Sequence, residues 1–458
     1  MKRAIALALA LATSGCMVGP NYHRPETSLP GAFSEADVGT ATVPVPHDWW
    51  TLYSDPALND LVAAGLANNT DVQVAAARVE EAEAALREAR ATLLFPLVNG
   101  QASAFRGRDS DTSFITTNGF GVGLATSFEV DLWGRLRRAE RSVRDQLLAS
   151  RYGRDTVALT LAATVARSYF AARSLDAQEI ASREILSTAV ESLGLAKKRS
   201  DAGVAPELDV YQAGSLRAQA AAQATEIARQ RDAIVHQLGV LTGRLDLKLP
   251  EGGLDQLPIP PLTPAGLPSL LLERRPDVRE AEANLQAATE RIGVARAEQF
   301  PTLSLTGTLG TASTELGNLF TTGGRSWSVG GTLIGPIIDG GRYKARTDQA
   351  VAQAKQAEGA YVGAVRNAFR DVSDALSNVR RANESDGELK DLVDQAGKAL
   401  HLAQLRYEHG YSAYLEVLDA ERTLNDARLQ LIRNRQAYLS FTVDLMNALG
   451  GGWKPTDS

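Results

Sequence analysis

The sequence predicts a mainly α-helical protein with a small β part, built as a tandem repeat. Three observations carry this. The 458-residue chain has no proline between Pro96 and Pro206, and none between Pro336 and Pro455. Proline inside a helix costs about 3 kcal/mol, so gaps of this size leave room for very long helices. Alanine is about one residue in six while aromatics are only 6%, a composition suited to helices packed closely side by side rather than to a core of large side chains. Finally, the chain repeats itself. Thr70–Pro96 matches Pro276–Pro301, with Asp71 on Asp277 and Phe95-Pro96 on Phe300-Pro301, and three further matches follow in the same order at a spacing of about 206. A unit of about 200 residues is far longer than a solenoid repeat of 20–50.

The N-terminus reads as an address. Lys2 and Arg3 precede the apolar run Ala4–Ala12, then Thr13-Ser14-Gly15-Cys16. A basic start, a short apolar stretch and small residues make a secretory signal peptide, too short to span a bilayer. The small residues end on the single cysteine, which resembles the bacterial lipobox, where cleavage leaves a lipid-modified cysteine as residue one. The expected division is signal peptide 1–15, lipidated N-terminal segment 16–56, first repeat 57–243, equatorial linker 244–275, second repeat 276–451 and tail 452–458.

Each repeat reads alike. An Ala/Glu/Arg-rich helix comes first, about 58–94 and 277–299, stopped by Pro96 and Pro301. A strand pair follows, about 97–131 and 302–336. Phe120, Val122, Leu124, Phe128 and Val130 alternate with Gly119, Gly121, Gly123, Ser127 and Glu129; Leu303, Leu305 and Leu309 alternate with Ser304, Thr306 and Thr308; Trp327, Val329 and Leu333 alternate with Ser328, Gly330 and Thr332. Period two with one apolar face and one small or polar face means strands. The weaker partner of the first pair is about 97–105, and the polar links between partners read as loops. Two helices complete each unit: about 133–200 and 207–240 around a turn at Gly203, and about 344–410 and 414–449 around a turn at Gly410-Tyr411-Ser412. A 65-residue helix is about 100 Å long, and its many Glu, Arg and Asp place it in water rather than in a bilayer.

Composition excludes several functions. The net charge of −6 falls to near −8 without the signal peptide, which gives no footprint for nucleic acid. One cysteine forms neither an internal disulfide nor a cysteine zinc site, and the five scattered histidines make no HExxH. With no Gly-x-Ser-x-Gly elbow or P-loop either, the expectation is a non-enzyme without metal or cofactor beyond the lipid on Cys16. No later segment reaches 18 consecutive apolar residues, so further membrane contact must come from strands, and four strands cannot close a barrel within one chain.

The stretches "CMVGPNYHRPE" (Cys16–Glu26), "WWTLYSDPALNDLV" (Trp49–Val62), "ERRPDVREAEANL" (Glu273–Leu285), "IGVARAEQFPTLSLTGTLG" (Ile292–Gly310), "GPIIDGGR" (Gly335–Arg342) and "YEHGYSAYLEVLDAERTLNDA" (Tyr407–Ala427) carry a resemblance. In their order and joint presence the chain resembles outer-membrane efflux proteins of TolC type, in their NodT-like lipoprotein branch. The resemblance implies a homotrimer in the outer membrane, palmitate among its anchoring acyl chains. Three chains would pool four strands each into a 12-stranded β-barrel above a long α-helical barrel in the periplasm. It implies a passive exit duct that docks on a periplasmic adaptor and an inner-membrane pump of the RND type. The other reading left open is a periplasmic coiled-coil structural or adaptor lipoprotein without a pore, which would not need two ten-residue hairpins with an apolar face.

The resemblance also places a periplasmic gate at Asp209, Glu416, Asp419 and Tyr407. Family acids near the helix turns match Glu416 and Asp419, and the repeat places Asp209 equivalently, with Gln212 standing for the second acid. Three copies of an acid around an axis form a negative ring that favours cations; as plain helix-start residues they would instead complement the helix dipole. Tyr407 matches a family tyrosine that hydrogen-bonds an acidic partner, here Asp209, while Ser412 replaces a nearby family arginine. Lys197, Lys198 and Arg199, just before the first turn, read as a solvated charge run ahead of the other reading, a contact with an acidic adaptor tip.

Overall fold

The computed structural model describes residues 17–33, 45–108, 116–250, 252–260, 269 and 271–454. Residues 1–15, expected as a signal peptide, and Cys16 lie outside the described residues. The elements run α1 (Pro56–Asn68), α2 (Thr70–Leu94), β1 (Leu97–Arg108), β2 (Thr116–Val130), α3 (Arg135–Asp201), α4 (Glu207–Thr242), one helical turn at Leu271–Arg274, α5 (Pro276–Ala297), β3 (Thr302–Ser313), β4 (Arg325–Ile334), α6 (Arg342–Glu408) and α7 (Tyr414–Ala448). The duplication is written in the boundaries. Helices α3 and α6 are each 67 residues long, and both α6 and the start of α7 are their first-repeat counterparts moved on by 207 positions.

The helix expected over 58–94 is two helices. Asn69 leaves helical conformation at ψ 134° and ends α1. Its Oδ1 then accepts the Asp71 N–H at 2.8 Å, and its Nδ2 donates to the Leu241 carbonyl at 3.1 Å. Asn-Asn-Thr-Asp is a helix-start signal inside a proline-free run, and a side-chain cap of this kind outweighs continued helix propensity. At the other end of α1, Asp55 accepts the Ala57 N–H at 2.8 Å, with Pro56 in the first turn.

Chain contacts define two compact units, each drawing on both repeats: Met1–Thr27, Ala77–Tyr152 and Arg279–Gly363, and Ser28–Ala76, Gly153–Val278 and Ala364–Ser458. The first contains a four-stranded antiparallel sheet in the order β1-β2-β3-β4, so the hairpins of the two repeats join at β2 and β3. Along that junction Gly123 faces Gly310, and a methyl group on either would sit 2.9 or 2.7 Å from a carbonyl oxygen across the ladder. The registers place Phe120, Val122, Leu124, Phe128, Val130, Leu303, Leu305, Leu309, Trp327, Val329 and Leu333 on one face, as the alternation predicts. That face is open, with Trp327 76% and Val329 81% exposed.

In the same unit the chain just after Cys16 is strapped to the helices. Arg138 is 1% exposed and donates to the carbonyls of Gly19 and Pro20, to Asn21 Oδ1 and to Glu290 Oε2 at 2.9 Å. Tyr22 and Arg24 both bond Glu282. Arg138→Met should destabilise the protein by about 3–5 kcal/mol, because it leaves Glu290 and three backbone or amide acceptors without their cation. Chemical unfolding would show this, and a cost below about 1 kcal/mol would refute it.

The second unit concentrates the scarce aromatics. Trp49, Tyr53, Tyr169 and Phe170 are fully buried together with Leu58, Val62, Leu439 and Val443, and Tyr53 and Thr442 hydroxyls bond at 2.7 Å. Outside this knot alanine dominates the helix contacts, as at Ala189, Ala196, Ala213, Ala220 and Ala403.

Candidate functional site

The predicted gate residues lie at the two helix turns of the second unit. Helices α3 and α6 end at Gly203 and Gly410, which adopt φ +72° and +75°. This left-handed conformation suits glycine and lets the following N–H groups close on the last carbonyls, Val204 on Arg199 at 3.0 Å and Tyr411 on Arg406 at 2.8 Å. Pro206 and Ala413 then start α4 and α7. The repeat thus puts two equivalent turns at one end of the four long helices.

Between those turns Tyr407 and Asp209 meet. Tyr407 Oη donates to Asp209 Oδ2 at 3.3 Å, and both residues are buried. Burial, followed by the negative charge of Asp209, raises the Tyr407 phenol above its ordinary pKa. Tyr414 lies edge-on to Tyr407 with ring centroids 5.4 Å apart. Arg199 is not a solvated charge. Its guanidinium lies 4.7 Å from the centre of the Tyr407 ring and donates to the Glu408 carbonyl at 3.3 Å, whereas Lys197 and Lys198 are exposed. A cation on the ring face holds the tyrosine independently of its hydroxyl. Arg199 of α3 thus supplies the cation at this turn, and Ser412 Oγ is buried without a partner.

The other two acids sit apart from this contact. Glu416 is exposed and pairs with Arg406 at 3.3 Å across the turn. Asp419 is exposed one turn further along α7, and Gln212 is half-buried on α4. Only the Tyr407–Asp209 pair among the predicted residues forms a direct contact.

One acid escaped the sequence argument. Glu421, two residues past Asp419, is 3% exposed, and its Oε1 accepts from Ser192 Oγ of α3 at 3.0 Å. Burial raises its pKa above the ordinary carboxyl value, with the Ser192 bond acting in the opposite sense. Its only sequence signal was its position four residues after Val417 and three after Leu418, on the buried stripe of α7.

Comparison with known proteins places this architecture. The model of the outer membrane efflux protein family matches the chain twice, over residues 61–244 and 267–451. The chain is 35% identical over 459 residues to the toluene efflux pump outer membrane protein TtgI of Pseudomonas putida, covering 97% of each. It is 34% identical over 456 residues to the cation efflux system protein CusC of Escherichia coli O6:H1, covering 97% of this chain and 98% of that one. Among solved structures, the open state of the Neisseria gonorrhoeae MtrE outer membrane channel superimposes with a TM-score of 0.86 at 31% identity, covering 96% of this chain and 99% of that one. Matches of this length, repeated across both halves, mean that the chain belongs to the outer membrane efflux protein family.

Proposed function

We propose that the protein is the exit duct of a tripartite efflux pump: a homotrimer in the outer membrane that passes small molecules from an adaptor and an inner-membrane pump of the RND type to the outside. The observation that carries this reading is the sheet. Its two outer strands, β1 and β4, are exposed along their whole length, and one of its faces is apolar. A membrane tolerates strands only in a closed barrel, because every backbone group must be bonded. Twelve strands from three chains meet that requirement where four do not. Cys16 carries the lipid anchor, and the strap through Arg138 and Glu282 transmits its position to the helices. The chain itself does no chemistry and binds no metal or cofactor; the pump supplies the energy. Asp209, Tyr407, Glu416 and Asp419, tripled around the axis, form the periplasmic entrance, the first pair as a lock and the two exposed acids as a negative ring. Purified protein in planar bilayers decides the matter. A conducting trimer is expected, and a stable trimer that never conducts would leave a structural lipoprotein as the better reading.

A further inference from the structure

Glu421 is an acid that the duct reading does not use. Its Oε2 has no hydrogen-bond partner, and no arginine or lysine among the described residues lies within ion-pair distance of it. Tyr414, 2% exposed, also buries its hydroxyl, with Ser192 beside it. A cavity of about 290 Å³ opens beside Ser192 and Tyr414, lined also by Thr188, Leu195, Tyr407 and Val417. A carboxylate in such a place is costly, because one hydroxyl donor does not replace its hydration.

The duplication shows that packing does not demand this arrangement. Moved by the repeat distance of 207, Glu421 becomes Gly214 and Ser192 becomes Ala399. The same level of the other repeat is thus served by two small residues. The polar pair exists on the α3–α7 seam only; the equivalent α4–α6 seam carries the Tyr407–Asp209 bond instead.

We propose that Glu421 is a positioning residue of the entrance: its carboxyl, buried and held by Ser192, keeps α7 against α3, and a charge on it favours parting of the helices. The proposal rests on the duct reading. The ionisable groups around it do not neutralise a charge there. Helix α3 brings Glu191 to the cavity rim and Glu184, which faces Arg428 of α7 at 3.9 Å. Helix α6 brings Tyr407 and Glu408 to the cavity, and α4 brings Asp209, bonded to Tyr407. Helix α7 itself adds Tyr414, whose phenol is pushed up to about 12, by burial first and then by Glu421.

The sign follows from where the proton is held more tightly. Burial raises the acid in the packed arrangement seen here, which the proposal takes as the closed form, while helices that part return it to water and its ordinary value. The closed form is therefore favoured fully below the ordinary carboxyl pKa, and the advantage fades as pH rises through the raised value. Each unit of separation between the two values is a tenfold change in the closed-to-open ratio.

The test is single-channel recording of the lipidated trimer over about pH 5–8, beside thermal unfolding over the same range. Wild type should open more as pH rises. Glu421→Gln keeps an acceptor for Ser192 and removes the charge, so it should flatten that rise and lower the open fraction severalfold at neutral pH. Should Glu421→Gln fail to assemble, Ser192→Ala, which removes the one bond that favours the charged form, should move the profile to higher pH. A Glu421→Gln profile identical to wild type, or an unmoved Ser192→Ala profile, overturns the proposal. A wild-type trimer that does not conduct would instead defeat the duct reading, and wild-type and Glu421→Gln unfolding profiles that do not diverge as pH rises would still overturn the buried-proton premise.

Discussion

Tyr407→Phe should raise single-channel conductance or open probability, and by more than Asp209→Asn. The phenol is the hydrogen-bond donor to Asp209, and removing it leaves a buried carboxylate without that donor. An orphaned buried acceptor costs about 1–3 kcal/mol, more when charged. Asp209→Asn keeps an acceptor for the tyrosine and removes the charge, so its effect should be small. Asp209→Ala removes the pair and also a first-turn acid of α4, which complements the helix dipole. In a trimer each loss occurs three times. At about 1 kcal/mol per site, three losses would change the open-to-closed ratio by more than a hundredfold, since 1.4 kcal/mol is tenfold. Arg199 tempers this, because its place over the ring does not depend on the hydroxyl, so Tyr407→Phe should keep its packing while Tyr407→Ala should not. Unchanged conductance in both Tyr407→Phe and Asp209→Ala would sink the lock.

Much of this site was legible because the chain is written twice. Gly203 and Gly410 mark equivalent turns, and a glycine ending a long helical pattern carries its own physical meaning. The strand faces were legible because side-chain alternation is strict: each apolar residue picked from the period fell on one side of the sheet. What escaped depends on neighbours that a linear pattern does not name. Arg199 follows two lysines that are exposed, and nothing local separates it from them; its place is set by Tyr407, two hundred residues away. Arg138 sits in "RLRRAER", a run that reads as solvated until the segment after Cys16 folds over it. Glu421 has helix-favouring chemistry in either surroundings, so its isolation is set by α3 rather than by its own helix. Asn69 is the one miss with a local cause, a cap signal hidden inside a long helical composition.

Oxidation of a protein carrying Ile334→Cys and Asn99→Cys should give a covalently linked trimer. The apolar face uses even positions in β1 (Val98, Ala102, Ala104) and odd positions in β4 (Trp327, Val329, Leu333). When β4 of one protomer pairs antiparallel with β1 of the next, a continuous apolar band requires even positions to face odd ones, since a one-residue slip turns a strand's whole apolar set to the other side. Strand β4 has 10 residues and β1 has 12, so three registers pair all of β4, and the middle one violates the rule. Of the other two, placing Ile334 opposite Leu97 sets Arg325 directly across from Arg106, and opposed like charges destabilise a ladder. Placing Ile334 opposite Asn99 also sets Arg325 across from an arginine, Arg108, but at the last residue of β1, and it alone of the two sets Trp327 across from Arg106, a cation–π pairing. Directly opposed residues lie about 4.5–5.5 Å apart at Cα, within disulfide range, while a two-residue offset lies beyond it. Cys16 is the only native cysteine, and the lipid that the proposed anchor places on it keeps it out of the assay. Linkage in a protein carrying Ile334→Cys with Leu97→Cys, and none with Asn99→Cys, would reject this register. The absence of both links in a trimer that glutaraldehyde still captures would reject pairing of the two edges.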